Sequence, residues 1–505
     1  MAKKAKSDNR HIVVFDVGKT NKKLAVFDSS LRPVHSIYQV FDEVQRDGIS
    51  YETVEETSAW LLDNLKEIAA RYEVGALSVS CHGAAFACVD ADGRLAMPVL
   101  SYTTDPGEAF HNEFYGRFGD PDKLHAETAT PNMPGLGCMA KGIYFASQRF
   151  PDEFAKTTTI LGLPQFYGHL LTGNRGAEYT FMATHTYLWD FSRCDYGPLV
   201  DAMGIRKLMP PKIQRPWDVL GTVTPEISKR TGIPETAVVT LGIHDSNASM
   251  LPYLVKATKS FVLNSTGTVC VAMRPATGVT FTPDEMGKVV YYNHNAFADP
   301  VRTVIFLGGL EFDIYTGQLT SRHGETAFPG FDKKLCESIL QRRKEFILPS
   351  VVPFGVFPGS EARLVENGKI LSFGQLMAGT APEFFDDFAR AYCILNLSLA
   401  IQSRSAMEMT GIQKGDEIYI EGGFRKNAVY TALLASMFPG SPVKLSGMEE
   451  ATAFGAALLG KSALEGKSPD QLGGEFTIEQ QTVAGYGLDG LDGYIDEFIK
   501  QVNGT

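Results

Sequence analysis

Residues 11–28, HIVVFDVGKTNKKLAVFD, set two apolar runs around a polar turn, which predicts strand, turn, strand. Residues 261–271, FVLNSTGTVCV, repeat that plan, and the two hairpins are the chain's one clear internal repeat. Between them, residues 53–72 carry Trp60, Leu61, Leu65, Ile68 and Ala69 at helical spacing, followed by a strand over 77–80. The turn Asp90-Ala91-Asp92-Gly93 joins two strand-like runs, and helical stretches follow around 139–150, 164–172 and 198–206. In the second half, 383–410 is a long helical pattern, 417–420 a strand and 427–437 a further helix. Strands interleaved with helices predict an α/β protein with a mixed sheet in each half. The stretch 287–318 has no pattern that the sequence alone interprets.

At 505 residues the chain is too long for one core, so two domains are expected. The boundary falls shortly after Asp245, in the helix-like stretch 246–256, and divides 1–253 from 254–505. With 44% hydrophobic and 21% charged residues and no low-complexity segment, the composition is that of a folded chain. A net charge of −11 argues against a nucleic-acid partner, because phosphate contacts supply most of such affinity. A single nucleotide needs only a few local donors. Seven cysteines stand singly with no CxxC pair, which argues against a disulfide framework or a structural zinc site. The start, residues 1–10, is basic, but Asp16 interrupts the apolar run behind it, and no stretch is long enough to span a bilayer. A cytoplasmic protein with no membrane partner is expected.

The candidate chemistry sits in the turns. A phosphate held by a turn needs backbone N–H groups close by, which favours Gly, with Thr, Ser or Lys adding charge-assisted bonds. Both hairpins fit, although a Gly in a hairpin also serves a plain tight turn. No GxxxxGK[ST] loop occurs. Asp16 ends an apolar strand, where a carboxylate must be paired or metal-bound; the turn's own N–H groups could equally satisfy it. Asp245, in Gly242-Ile243-His244-Asp245-Ser246, follows an apolar strand and enters a helix, where open α/β sheets place ligands. It also suits a helix N-cap.

Taken together these segments resemble the FGGY family of carbohydrate kinases. Asp16-Val17-Gly18-Lys19-Thr20-Asn21-Lys22-Lys23 is similar to the first phosphate motif, with Lys23 where many members carry Arg. Gly242-Ile243-His244-Asp245 resembles the segment of the catalytic Asp, and Asn264-Ser265-Thr266-Gly267-Thr268 the second phosphate motif. Glu421-Gly422-Gly423-Phe424-Arg425-Lys426-Asn427 resembles the adenosine motif, and the run from Glu449 to Ala457 the closing helix. The order and spacing of these features, from residue 11 to about 460, carry the resemblance.

The resemblance implies two ribonuclease-H-like domains of the actin/hexokinase superfamily around a central cleft. It further implies ATP with Mg²⁺, a small-molecule sugar substrate, and a possible homodimer. Asp245 would then be the general base, and Asp16 would stand near the metal. Gly18, Lys19, Thr20, Asn21, Lys23, Ser265, Thr266, Gly267 and Thr268 would hold phosphates. Gly422, Gly423, Arg425 and Asn427 would hold the nucleoside. His82, Gly83, Asp105, Gln165 and His244 would face the sugar together with Asp245. The spacing of Ser80-Cys81-His82-Gly83-Ala84-Ala85-Phe86 and the run Glu178-Tyr179-Thr180 resemble rhamnulose and fuculose kinases. Ala85 stands where those kinases normally have an acid, and no Arg follows Asp105. A 6-deoxyketohexose is expected, with a ketopentose such as xylulose or ribulose as the alternative. Outside that class, a switch ATPase or a sugar-sensing regulator would suit the same nucleotide fold.

Overall fold

In the computed structural model, residues 10–324, 327–352 and 354–504 are described. Of the basic start, residues 1–9 lie outside them. The first half is built on strands β1 (His11–Val17), β2 (Asn21–Phe27), β3 (Pro33–Val40), β4 (Val74–Cys81), β5 (Val219–Thr222) and β6 (Val238–Thr240), with the short β7 (Ile243–His244) beside β4. Their order is β5-β6-β4-β1-β2-β3. The three strands β1, β2 and β3 are antiparallel, whereas β4 runs parallel to both β1 and β6. All eight residues of β4 are buried, as a strand in the middle of a sheet covered on both faces requires.

The second half repeats this plan with β8 (Phe261–Thr266), β9 (Cys270–Pro275), β10 (Val290–His294), β11 (Pro300–Phe306), β12 (Glu417–Gly422), β13 (Val443–Ser446) and β14 (Gln480–Val483). The order is β10-β11-β9-β8-β12-β13-β14. Again three strands form an antiparallel meander, β8-β9-β11, and two parallel strands follow on the other side of β8. The extra edge strand β10 has no counterpart in the first sheet. The stretch that the sequence left uninterpreted supplies β10, β11 and a helix, Gly308–His323.

Two expectations change in detail. The helix expected over 198–206 breaks into Pro198–Ala202 and a 3-10 turn at Arg206–Leu208, because Gly204 takes a left-handed φ of 71°. The pattern over 383–410 begins with a 3-10 turn, and the α-helix starts only at Phe388, capped by the Asp387 carboxylate on the Arg390 amide. Among the described residues no helix is long and apolar enough to cross a membrane. All seven cysteines are free, and only Cys194 is exposed.

Two helices join the halves: α1 (Asp245–Lys256), which follows β7, and α2 (Ala451–Glu465) from the far end of the chain. A Cβ on Gly455 of α2 would lie 1.9 Å from the Ala248 carbonyl oxygen of α1, so the two backbones touch directly. One turn and a half later, a Cβ on Gly460 would lie 2.5 Å from Ile12 Cγ2. Helix α2 thus closes the core of the first sheet. Ala453, Ala456, Ala457 and Leu459 share a buried cluster with Ile12, Val14, Ala76 and Leu251. A Gly455→Val substitution must push backbone away from backbone. We expect it to cost about 1–3 kcal/mol or more, read as a lower urea midpoint. Gly317, in the helix Gly308–His323, has open space where its Cβ would go. Gly317→Ala should instead gain about 0.5–1 kcal/mol.

Candidate active site

A cavity of about 540 Å³ lies between the halves, lined by His82, Asp245 and Tyr102 from the first and by Ser265, Gly267 and Tyr291 from the second. Asp245 is the first residue of α1, so the end of β7 delivers its carboxylate into the cavity. Its Oδ1 accepts from the Ser246 amide at 2.5 Å and lies 3.4 Å from His244 Nε2. Burial raises the Asp245 carboxyl above its ordinary value, opposed by the positive influence of His82 and by the Ser246 donors.

Asp16, one residue from the end of β1, does not line the cavity but lies within electrostatic reach of Asp245. Its Oδ1 accepts from Ser80 Oγ at 2.7 Å, and Lys23 Nζ lies 3.4 Å from Oδ2. Burial raises this carboxyl too, Lys23 opposes the rise, and the neighbouring Asp245 adds to it. Two buried carboxylates within electrostatic reach form a site that a hard divalent cation would relieve. Among the described residues no cluster of three or more ligand-type side chains exists. Mg²⁺ needs only one or two carboxylates when phosphates and water complete its shell, so the residues present fit it.

The first turn differs from expectation in its charges. Lys19 is held by Glu43 and Glu52 and lies 4.8 Å over the Tyr102 ring; Lys23 is held by Glu450 and Asp16. Each lysine therefore already faces two carboxylates. Lys22, which the sequence did not single out, is the one turned inward, and donates to the carbonyls of Gly18 at 2.9 Å and Lys19 at 2.7 Å. Gly18 is required there, since a Cβ would meet the Asn21 carbonyl at 2.9 Å. Thr20 and Asn21 are exposed at the tip.

In the second turn Ser265 and Gly267 line the cavity, whereas Thr266 is buried and braces the fold. The Thr266 hydroxyl accepts from the Phe424 amide at 3.0 Å and donates to the Glu421 carbonyl. The Thr268 carbonyl accepts from the Leu310 amide at 3.2 Å. A Cβ on Gly309 would lie 2.0 Å from the Gly267 carbonyl, so only glycine lets the start of the helix Gly308–His323 abut this turn. A Gly-Gly pair opening a helix directly after a strand was the available signal, and the sequence reading missed it.

The four adenosine-motif residues do not line this cavity. Gly422 has a φ of 78°, and its Cβ would lie 2.1 Å from the Thr266 carbonyl. Arg425 donates to the Ser446 carbonyl at 2.5 Å. Asn427 caps the helix Ala428–Met437 and donates to Asn396 Oδ1 at 2.6 Å. Gly423 has room beside it, with the Thr266 carbonyl 3.8 Å from where its Cβ would be.

Of the expected sugar contacts, His82, Gly83, Asp105 and His244 line the cavity and Gln165 does not. Gln165 is buried and donates to the Leu241 carbonyl at 2.9 Å, bracing the strand end before β7. Asp105 stands at the rim, its side chain 71% exposed, and accepts from the Gly107 amide. His82 Nε2 lies 4.0 Å from Glu52. Burial pushes His244 down to about 3, and it does the same to His185, a lining residue that sequence reasoning missed. His185 adopts a left-handed φ of 54°, and its ring lies 4.7 Å from that of Tyr291. No local pattern marks it, because its role arises from a partner more than a hundred residues away.

Glu178-Tyr179-Thr180 braces the site from behind. The Glu178 carboxylate accepts from the amides of Thr180 and Phe181 and from the Thr180 hydroxyl, and burial pushes it up to about 8. The Thr180 hydroxyl in turn accepts from the His244 amide at 3.1 Å. Thr180→Val leaves the His244 amide without its partner and takes one of three donors from Glu178 at constant shape, and should lower stability by about 1–3 kcal/mol in urea unfolding. Thr180→Ser should recover most of that loss.

The model of the FGGY family's N-terminal domain matches residues 11–252, and the model of the C-terminal domain of carbohydrate kinase FGGY matches 258–469. An L-fuculokinase of Salmonella typhi is 23% identical over 258 residues, 47% of this chain and 51% of that protein. A rhamnulokinase of Oceanobacillus iheyensis is 29% identical over 101 residues, 20% of this chain and 21% of that protein. The chain thus spans about half the length of the first relative and about a fifth of the second. Among solved structures, a carbohydrate kinase from Novosphingobium aromaticivorans superposes with a TM-score of 0.78 at 26% identity over 99% of both chains. A xylulose kinase from Lactobacillus acidophilus superposes at 0.80 over 98% of both, and at 15% identity it bears on the fold alone. With both family domains matched in order on two sheets of one plan, the chain belongs to the FGGY family of carbohydrate kinases.

Proposed function

We propose that the protein transfers the γ-phosphoryl group of ATP to a hydroxyl of a ketose, with Asp245 as general base. The observation that carries this is the placement of the Asp245 carboxylate in one cavity with the Ser265–Gly267 turn of the other half. The attacking sugar oxygen gives its proton to the Asp245 carboxylate as it bonds to the γ-phosphorus. The bond from that phosphorus to the β,γ-bridging oxygen breaks, and ADP leaves. A base so placed is worth about 10²–10⁴-fold. Much of the remaining acceleration would come from alignment and charge neutralisation. Bound Mg²⁺ would supply positive charge at the phosphates, and Asp16 is the residue to hold it. The Ser265 hydroxyl and the turn at Gly267, which line the cavity, are the second-half groups we assign to the phosphates.

The division of labour proposed is sugar on residues 1–253 and nucleotide on 254–505, meeting at α1. His82, Gly83 and His244 would contact the sugar, with Asp105 at the rim. The proposed substrate is a 6-deoxyketohexose such as L-rhamnulose or L-fuculose. The partial similarity to an L-fuculokinase and to rhamnulokinases supports this choice, as does the spacing around His82. A ketopentose such as xylulose or ribulose is the second reading.

The test is ADP release from MgATP against L-rhamnulose, L-fuculose, D-xylulose, L-xylulose, D-ribulose and L-ribulose. One sugar should stimulate turnover strongly, and Asp245→Asn should cut that stimulation by about 10²-fold or more. Turnover indifferent to every sugar and to the substitution would favour a switch ATPase. The same assay gives a pH prediction. Asp245 must be ionised to act, and burial holds its carboxyl above the ordinary 3.8, so the acid limb of kcat/KM should lie above that value. Burial lowers the His82 imidazole, so it carries charge only below its ordinary range; where protonated it stabilises the Asp245 anion, and His82→Asn should move the acid limb to higher pH.

A further inference from the structure

The walls of the cavity differ in chemistry according to the half that supplies them. The first half contributes most of the polar groups, the imidazoles of His82, His185 and His244 and the carboxylates of Asp245 and Asp105, with Met133 and Pro134 beside them. The second half contributes, beyond the Ser265–Gly267 turn, a largely apolar surface of Val271, Ile305, Leu307 and Phe354. Among the described residues, no Lys or Arg lines the cavity.

The apolar surface follows from strand register. Ser265 on β8 faces Val271 on β9, and Val271 faces Ile305 on β11, so the three stand in one row on one sheet face. Tyr291 on β10 pairs with Thr303, two residues from Ile305, and therefore takes the diagonal place on that face. Tyr291 sits on the edge strand that the first sheet lacks. That strand and the loop after it are fastened to the first half. The Val290 carbonyl lies 2.8 Å from His125 Nε2, the Tyr292 amide donates to the Ala129 carbonyl at 3.1 Å, and the Tyr179 hydroxyl donates to the Ala296 carbonyl. The Tyr291 ring then meets His185 across the cleft, and Ile305 and Tyr291 join the buried cluster of the first half around Met133 and Tyr187.

We propose that this row, Val271–Ile305 with Tyr291 at its end, is a substrate subsite that selects an uncharged sugar with a deoxy, methyl-bearing terminus. The inference rests on the kinase reading above and extends it by assigning specificity to the second half. Hydroxyl groups find partners on the imidazole wall. A terminal hydroxyl turned to Ile305 and Val271 would be buried against alkyl side chains, with the Tyr291 phenol as the one polar group of the row, whereas a methyl group fills the same space without that desolvation cost. A sugar carboxylate or phosphate in this cavity would find no cationic side chain to offset its desolvation.

The test compares sugars that differ only at that terminus: L-fuculose with L-tagatose, L-rhamnulose with L-fructose, and gluconate as the charged control. For the accepted stereochemistry, kcat/KM should favour the deoxy sugar by about 10–200-fold, the range one methyl group commands in an apolar pocket. Gluconate should give no turnover. Ile305→Thr, which keeps the β-branched shape and adds a hydroxyl, should reduce the deoxy preference about tenfold, chiefly through KM, with the deoxy sugar losing more than its hydroxy counterpart. A preference near unity in the native protein, preferred turnover of gluconate, or an equal loss for both sugars in Ile305→Thr would overturn the proposal. If no sugar supports turnover, the kinase reading fails separately. Calorimetry of the same pairs on Asp245→Asn then decides the subsite: tighter binding of the deoxy member upholds it, and equal or absent binding overturns it.

Discussion

The structure depends on one contact between backbones, the crossing of helices α1 and α2 at Gly455 and Ala248. A protein interior at crystal-like density has no slack at such a point, so a single methyl group there must displace a helix axis. Both helices reach the cavity between the halves. Asp245 begins α1, and Thr452, in the first turn of α2, lines the same cavity. Helix α2 comes from the second half of the chain but packs on Ile12 and Ala76 of the first sheet. Neither sheet is therefore a self-contained core. The two carboxylates, the phosphate turns and the imidazole wall keep their relative positions because the halves share one buried layer.

The electrostatics follow from that arrangement. Burial is unfavourable for both the Asp16 and the Asp245 anions, and the charge of Asp245 adds to the cost at Asp16. Lys23 offsets part of the cost at Asp16 while also pairing with Glu450, and Lys19 is matched by Glu43 and Glu52. Glu450 precedes α2, so the Lys23–Glu450 pair also spans the two halves. The turn glycines are held in turn by their own contacts: the Gly267 amide donates to the Val269 carbonyl at 3.3 Å.

How much was legible in the sequence differs between the scaffold and the site. The two hairpins, the strand–helix alternation and the position of Asp245 at a strand end all rest on local periodicity and turn chemistry, and they are found where those rules put them. Gln165 was misplaced for a physical reason. A polar residue in an apolar helix reads as a ligand contact, yet here the Leu241 carbonyl satisfies it. Asn427 and Thr266 behave alike: residues of the right type, used to cap a helix and to staple two turns. His185 and Tyr291 were invisible because each matters only through the other, across a cleft.

By itself, then, the sequence determined the α/β class, the duplicated plan and the candidate base, because each depends on residues close together in the chain. The tertiary structure decided which polar side chains face the cavity, which lysines are already neutralised, and that the second sheet supplies an apolar wall. Those outcomes turn on burial, and burial depends on neighbours that the chain brings together only after hundreds of intervening residues have folded. The glycines at 309, 422 and 455 mark the boundary between the two kinds of knowledge. Their identity is written in the sequence, but the carbonyl each must avoid belongs to another element, and only the assembled structure says which one.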